Sequence, residues 1–180
     1  IEKFLMARRL MYWQVYLHKT SLVAELILTK TLKRAKELTL KGIELPSSKA
    51  LSFFMKNKIE LDDFNDSVLD QFAQLDDYDI VSALKSWQTE DDFILRSLSK
   101  MIINRDLLKV KLNSEKFPKE EIQELTAQFS KQNNISIQDA EYFVFKGKIK
   151  NQAYSKNAEP IHVLKKDKTI EDVVEASDQL

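Results

Sequence analysis

The stretch Ala7–Ile27, ARRLMYWQVYLHKTSLVAELI, decides how the chain is read. Its apolar residues recur around nearly the whole circumference of a 3.6-residue helix, the pattern of a segment that wants burial. Yet it carries Arg8, Arg9 and Lys19, together with His18, one of two histidines in the chain. At about 100° per residue, Arg8, Tyr12, Tyr16 and Lys19 share an arc of about 80°, flanked by Leu5 and Val15. A bare guanidinium is too costly to bury without an anion, so each cation needs a partner or a rim position. If the anion is a carboxylate, the stripe is structural. If it is a phosphate, the Arg fork and the Lys point charge suit it, and the phenols can position a sugar or base. Chemistry alone leaves both readings standing.

Outward from this stretch the sequence reads as helical for its first half. Residues 2–41 form one long helix, bent where HKTS interrupts the apolar run at His18–Ser21. Gly42 supplies a left-handed cap and Pro46 prevents continuation. Ser47 or Ser48 starts a short helix carrying Leu51, Phe53, Phe54 and Met55. Asp66 or Ser67 caps another over VLDQFAQL. Helices over Asp77–Trp87 and Asp91–Asn104 follow, each beginning in acids that suit a helix N-terminus.

After Arg105 the pattern changes. LLKVKL (107–112) alternates like a strand, and PKEEIQELTAQFSKQ returns to helical periodicity with Pro118 in its first turn. AEYFVFKGKIK (140–150) and PIHVLKK (160–166) have strand composition, and TIEDVVEAS opens a last helix capped by Thr169. Asn151–Glu159 reads as a loop. The expected fold is mainly α with a small α+β C-terminal lobe: residues 1–104 helical, residues 105–180 in the order β-α-β-β-α.

Composition narrows the function classes. The 180 residues are 43% hydrophobic and 31% charged, enough for one ordinary core with an appendage. Two Gly and three Pro favour long regular elements. The absence of Cys excludes disulfides and thiolate metal sites and fits a cytoplasmic protein. No apolar run approaches a membrane span and no signal peptide is visible. The first residue is Ile, and the last ones, IEDVVEASDQL, read as a helix still in progress; a piece of a longer chain is expected.

Net charge is zero but unevenly spread. Residues 1–46 are basic, with Lys30, Lys33, Arg34, Lys36 and Lys41 in one segment, and residues 60–92 are strongly acidic. Both can be solvated helix faces, or complementary patches that pair in an oligomer. The lysines lack interleaved aromatics, which argues against specific nucleic-acid binding.

Self-contained catalysis finds no footing. His18 and His162 stand outside any paired-ligand spacing, so no metal site is expected within these residues. His162 alternates along a strand as a surface or edge residue. DDFNDS lacks the turn Gly and the twelfth-position Glu of a calcium loop. There is no Gly-rich phosphate loop and no nucleophile elbow.

Two blocks carry a resemblance. ARRLMYWQVYLHKT, with Arg8, Tyr16 and then His18-Lys19, resembles the helix that follows the catalytic core in HD-superfamily nucleotide phosphohydrolases, a group including the deoxynucleoside triphosphate triphosphohydrolases, and its bacterial branch in particular. INRDLLKVKL is similar to that family's Arg-x-Leu-aromatic-Lys segment, with Leu108 in place of the aromatic. The blocks stand in the family's order, and the resemblance covers essentially the whole chain. It implies a His/Asp cluster upstream of Ile1 holding a divalent metal ion that activates water and polarises a phosphoryl oxygen. These 180 residues would then be the C-terminal half, lacking the metal ligands and inactive alone, and supplying a substrate wall. By position Arg8 would clamp phosphate, Tyr16 would contact the sugar, and Tyr12 would stand where some relatives carry a His. His18, Lys19, Arg105 and Lys109 match positions that hold a regulatory nucleotide between subunits, although Gln14 stands where those members often have Arg. The uncovered first helix implies a homodimer or larger homo-oligomer. The reading from another class is a non-enzymatic helical interaction or scaffold module.

Overall fold

The structure, a computed structural model, describes residues 2–147, 149, 154 and 160–177. The chain divides into two compact units, one made of Ile1–Leu22 with Lys146–Leu180 and the other of Val23–Phe145. The fold is mainly helical, with a small two-stranded hairpin near the end of the chain. Among the described residues no helix is long and apolar enough to cross a membrane.

The larger unit is built on α2 (Lys19–Leu40), whose residues from Val23 onward belong to it. Val23, Ile27, Thr31, Ala35 and Leu38 recur every three or four positions and are all buried, giving one apolar stripe. Thr31 is tolerated there because its hydroxyl donates to the Ile27 carbonyl at 2.7 Å. Around the far end of the stripe lie α3 (Lys49–Lys56), α5 (Asp77–Trp87) and α6 (Phe93–Asn104), with Leu51, Met55, Leu84 and Leu95 against Ala35 and Leu38. Trp87 is fully buried at its centre, and its indole N–H donates to the Pro46 carbonyl at 2.9 Å. At the near end Val23 and Ile27 meet Ile94, Leu98 and Phe143, and Phe129 of α7 (Lys119–Asn133) stacks on Phe143 at 4.8 Å. Each fully buried Leu or Ile contributes about 1.5–3 kcal/mol, so this double cluster holds the unit.

Helix ends follow the sequence closely. Gly42, at φ 87, closes α2: its N–H donates to the Thr39 carbonyl, and the Ile43 N–H reaches back to Leu38. That pair of bonds is a Schellman motif. Ser48 caps α3 through the Leu51 N–H. The cap of α4 (Asp66–Ala73) is Asn65, one residue ahead of the expected Asp66 or Ser67. Asp76 and Asp79 form a reciprocal capping box at α5, and Asp92 caps α6. Arg105, at φ 58, ends α6.

Three expectations are corrected. The first helix is not continuous: α1 spans Glu2–Met11, a π-helical turn spans Tyr12–Tyr16, and α2 restarts at Lys19. The break falls at Leu17–His18, at the edge of the expected bend, because the Leu17 N–H reaches back five residues to the Tyr12 carbonyl. Residues 107–112 form no strand. Their alternation is real, since Leu108 and Val110 are half-buried while Lys109 and Lys111 are exposed, but the buried side packs on the near-end helical cluster. Residues 140–147 likewise form no strand: α8 (Ile137–Ala140) runs into turns, and Phe143 fills the core. The order β-α-β-β-α therefore gives way to α-α-β-β-α.

The smaller unit holds that hairpin, β1 (His162–Leu164) antiparallel to β2 (Ile170–Asp172), followed by α9 (Val173–Ala176). His162 is exposed on β1. Thr169 does not cap the last helix. Its N–H and hydroxyl both donate to the Asp167 carboxylate, which fixes it in the hairpin turn, and Asp172 caps α9 instead. The buried Asp172 also accepts from the Tyr154 hydroxyl, which in turn accepts from the Ile161 N–H at 3.0 Å. Apart from Tyr154, the expected loop 151–159 lies outside the described residues.

Candidate functional site

Arg8, Tyr12 and Tyr16 form a file along the first helical segment. Their four-residue spacing puts successive side chains on neighbouring positions of one face. The Arg8 guanidinium lies over the Tyr12 ring, 5.8 Å from its centroid, and the Tyr12 and Tyr16 rings meet at 5.0 Å with a 51° tilt. A guanidinium held against a ring face gains a cation–π attraction of about 0.5–1 kcal/mol at an exposed site and keeps its N–H edges free for an anion. The two phenols sit on the π-helical turn, a distortion frequent at functional sites.

The expected burial of the cations is not found. Arg8, Arg9, His18 and Lys19 are all exposed, Tyr16 is exposed and Tyr12 is half-buried. Among the described residues no carboxylate pairs with Arg8, Arg9 or Lys19. The physical reason is that the apolar residues beside them are uncovered as well: Phe4 is 65% and Trp13 52% exposed, with Leu10, Met11 and Val15 also open. Water still solvates the charges, so none needs a counter-ion. The π turn also undoes the single helical wheel. Lys19 stands beyond the break, at the start of α2, and His18 is the link: its Nδ1 accepts from the Thr20 N–H at 3.3 Å, as a side-chain cap would.

Arg105 and Lys109 belong to the larger unit. Arg105 is exposed, and its left-handed backbone donates to the Ile102 carbonyl at 3.2 Å, so the residue ends α6. Lys109 points outward between half-buried Leu108 and Val110. Two surface depressions of this unit lie elsewhere: one lined by Ser48, Tyr78, Asp79 and Ser82, the other by Thr39, Glu44, Ser52 and Lys56. Neither contains any of the seven candidate residues.

A charged cluster unseen in the sequence lies along α2. The Arg34 guanidinium donates twice to Asp92, with Nη2 at 2.6 Å, and the two side chains are only 15% and 17% exposed. Asp139 at 3.5 Å, Glu37 at 3.7 Å and the face of the Tyr142 ring complete its surroundings. Tyr142 donates its hydroxyl to Glu37 at 2.6 Å. Lys30 donates to the Glu141 carbonyl at 2.9 Å and lies over the Phe145 ring at 4.4 Å. Burial pushes the Asp92 carboxyl up, but the hydrogen bonds from Arg34 and the Leu95 N–H outweigh it and hold it below the usual carboxylate range. The hydrogen bond to Asp92 raises Arg34 in turn. Burial, then the Glu37 carboxylate, pushes the Tyr142 phenol up, and burial with nearby Lys33 lowers Lys30. Every charge here has a protein partner, so the cluster ties α2 to α6 and to the turn after α8. Among the described residues no group of three or more His, Cys, Asp or Glu is arranged to hold a metal ion.

No family model matches the chain. A solved structure does, at 47% identity and a TM-score of 0.87: a phosphohydrolase from Bacteroides thetaiotaomicron. The chain resembles part of a phosphohydrolase. The match covers 99% of this chain and 44% of that one. An uncharacterised protein of Bacillus subtilis, YwfO, is 35% identical over 108 residues, 59% of this chain and 23% of its own length. This chain thus spans less than half the length of either relative.

Proposed function

We propose that the chain forms the C-terminal part of a metal-dependent, HD-type nucleotide phosphohydrolase acting on deoxynucleoside triphosphates or similar nucleotides. Arg8 clamps substrate phosphate, and Tyr12 and Tyr16 contact the rest of the nucleotide. The observation that carries this reading is the file of Arg8, Tyr12 and Tyr16 on a π-helical turn, in a chain 47% identical to part of a phosphohydrolase. The guanidinium has a ring at its back, open N–H groups, and exposed apolar residues on either side that another part of the protein can cover. Once covered, a charge of this kind interacts with phosphate in a low dielectric, where it counts for far more than in water. The divalent metal ion would activate water and polarise the scissile phosphoryl group. Its ligands would come from the part of the enzyme that corresponds to the remainder of the relative. His18, Lys19, Arg105 and Lys109 are proposed to bind a second, regulatory nucleotide, and the protein is proposed to work in the cytoplasm as a homodimer or larger homo-oligomer.

The test is hydrolysis of deoxynucleoside triphosphates by the whole protein with added divalent metal. Arg8→Ala should lower kcat/KM by more than tenfold, about 1.4 kcal/mol of transition-state stabilisation. A smaller loss would remove Arg8 from the phosphate site. A second reading, a helical scaffold module, is favoured by the exposed apolar face of the first helix. It predicts that calorimetry detects no nucleotide binding by the parent and no difference on Arg8→Ala or Lys19→Ala.

A further inference from the structure

The segment from Glu60 to Asp79 has no role in the phosphohydrolase reading. Between Lys58 and Lys85 the chain carries eight carboxylates and no cation. They do not surround a polar surface. Leu61 is 90% exposed and Tyr78 82%, and Phe64, Leu69 and Phe72 are exposed among them. Phe72 meets both Phe54 and Phe64 edge-on, at 6.2 and 6.5 Å, which holds the aromatic part of the face in place. Exposed apolar side chains rimmed by charge mark a contact surface.

The charge decides what can sit there. Two copies meeting through this face alone would set eight carboxylates against eight, and like-charge juxtaposition costs several kcal/mol. The occupant must be cationic and partly apolar. The same unit carries such a surface: residues 30–41 hold five cations against one acid. Arg34 and Lys30 are committed to the cluster around Tyr142, but Lys33, Lys36 and Lys41 have no carboxylate partner among the described residues. Leu40 and Ile43, both exposed, close the strip at the end of α2. With zero net charge, two copies approach without overall repulsion, and opposite patches can orient them.

We infer that the acidic–aromatic face spanning residues 60–79 docks the basic end of α2, residues 33–43, of a second copy of this chain. Used reciprocally, the contact closes a two-fold dimer. It does not depend on the phosphohydrolase reading, and its test involves no activity.

The experiment measures the mass of the chain in solution by light scattering and sedimentation at about 25 mM and about 500 mM salt, between which the screening length falls from roughly 20 Å to roughly 4 Å. The parent should associate at low salt and dissociate at high salt. Asp62→Lys with Asp70→Lys, and separately Lys33→Glu with Lys36→Glu, should each weaken association at least tenfold while circular dichroism stays unchanged. An equimolar mixture of the two doubly charge-reversed proteins should restore it. Phe72→Ser should weaken association without altering its salt dependence. A parent that is monomeric at low salt overturns the inference. So does association that neither charge reversal weakens, or a mixture that fails to associate. Should a reversed variant unfold, Asp62→Asn with Asp70→Asn replaces it, and unchanged association in that variant overturns the inference equally.

Discussion

Arg34 and Asp92 sit 58 positions apart and are joined by a forked hydrogen bond, while the same carboxylate caps α6 through the Leu95 N–H at 2.8 Å. One side chain thus fixes both the start of a helix and its attachment to α2. Replacing it has two consequences at once.

Asp92→Ala should destabilise the chain by about 2–4 kcal/mol, since it removes a helix cap and leaves a mostly buried guanidinium unpaired. Urea unfolding followed by circular dichroism measures this. A loss under about 1 kcal/mol would mean that the pair contributes no more than an ordinary cap.

The pH dependence has a definite sign. Asp92 is held below its ordinary value of 3.8, so it binds fewer protons folded than unfolded near that pH. Its stabilisation is complete above the ordinary value and disappears as pH falls through the lower folded value. Unfolding free energy should therefore drop on acidification from about pH 5 to about pH 2, and Asp92→Asn should flatten part of that drop. Identical slopes in parent and variant would assign the acid sensitivity to other carboxylates.

Gly42→Ala tests the end of α2. A Cβ there would meet nothing within 4 Å, so any cost comes from the positive φ of 87 rather than from a clash. The expected loss is about 1 kcal/mol, with Gly42→Asn costing less because Asn tolerates the left-handed region. Thermal unfolding of the two variants gives the comparison.

The two tryptophans report on opposite environments. Trp87 is fully buried and Trp13 is 52% exposed. Trp13→Phe should leave a blue-shifted emission that acrylamide quenches poorly, and Trp87→Ala should cost about 3–5 kcal/mol. Easily quenched emission from Trp87 would contradict the core described for the larger unit.

The helical half of the chain was legible because its signals are local. A buried residue every third or fourth position, a Ser or Asp before the first turn and a Gly after the last fix an element without reference to the rest. The strands at 107–112 and 140–150 were misread because alternation and aromatic content record which side is buried, not what buries it. Leu108 and Val110 against helices give the same string as they would in a sheet. Thr169 failed as a cap because Asp167, two residues earlier, captured both of its donors. At the candidate site the Arg8–Tyr12–Tyr16 file follows from four-residue spacing. The exposure of Arg8 and Lys19 does not, because it depends on what covers the neighbouring apolar residues. Arg34 was hidden for a different reason. Its partner Asp92 is 58 residues away, and Tyr142 meets Glu37 across 105, distances over which one sequence carries no pairing signal.

The wide turn at Tyr12–Tyr16 makes this short piece of chain unusually sensitive to length. Removing one residue from YWQVY would let the backbone wind as an ordinary α-helix, and everything after the deletion would swing by about 100° about the axis and shift by about 1.5 Å. Lys19 would then look in a different direction from Arg8, although every side chain other than the deleted one was still present. A silent-looking loss of a single codon here would act as a rotation.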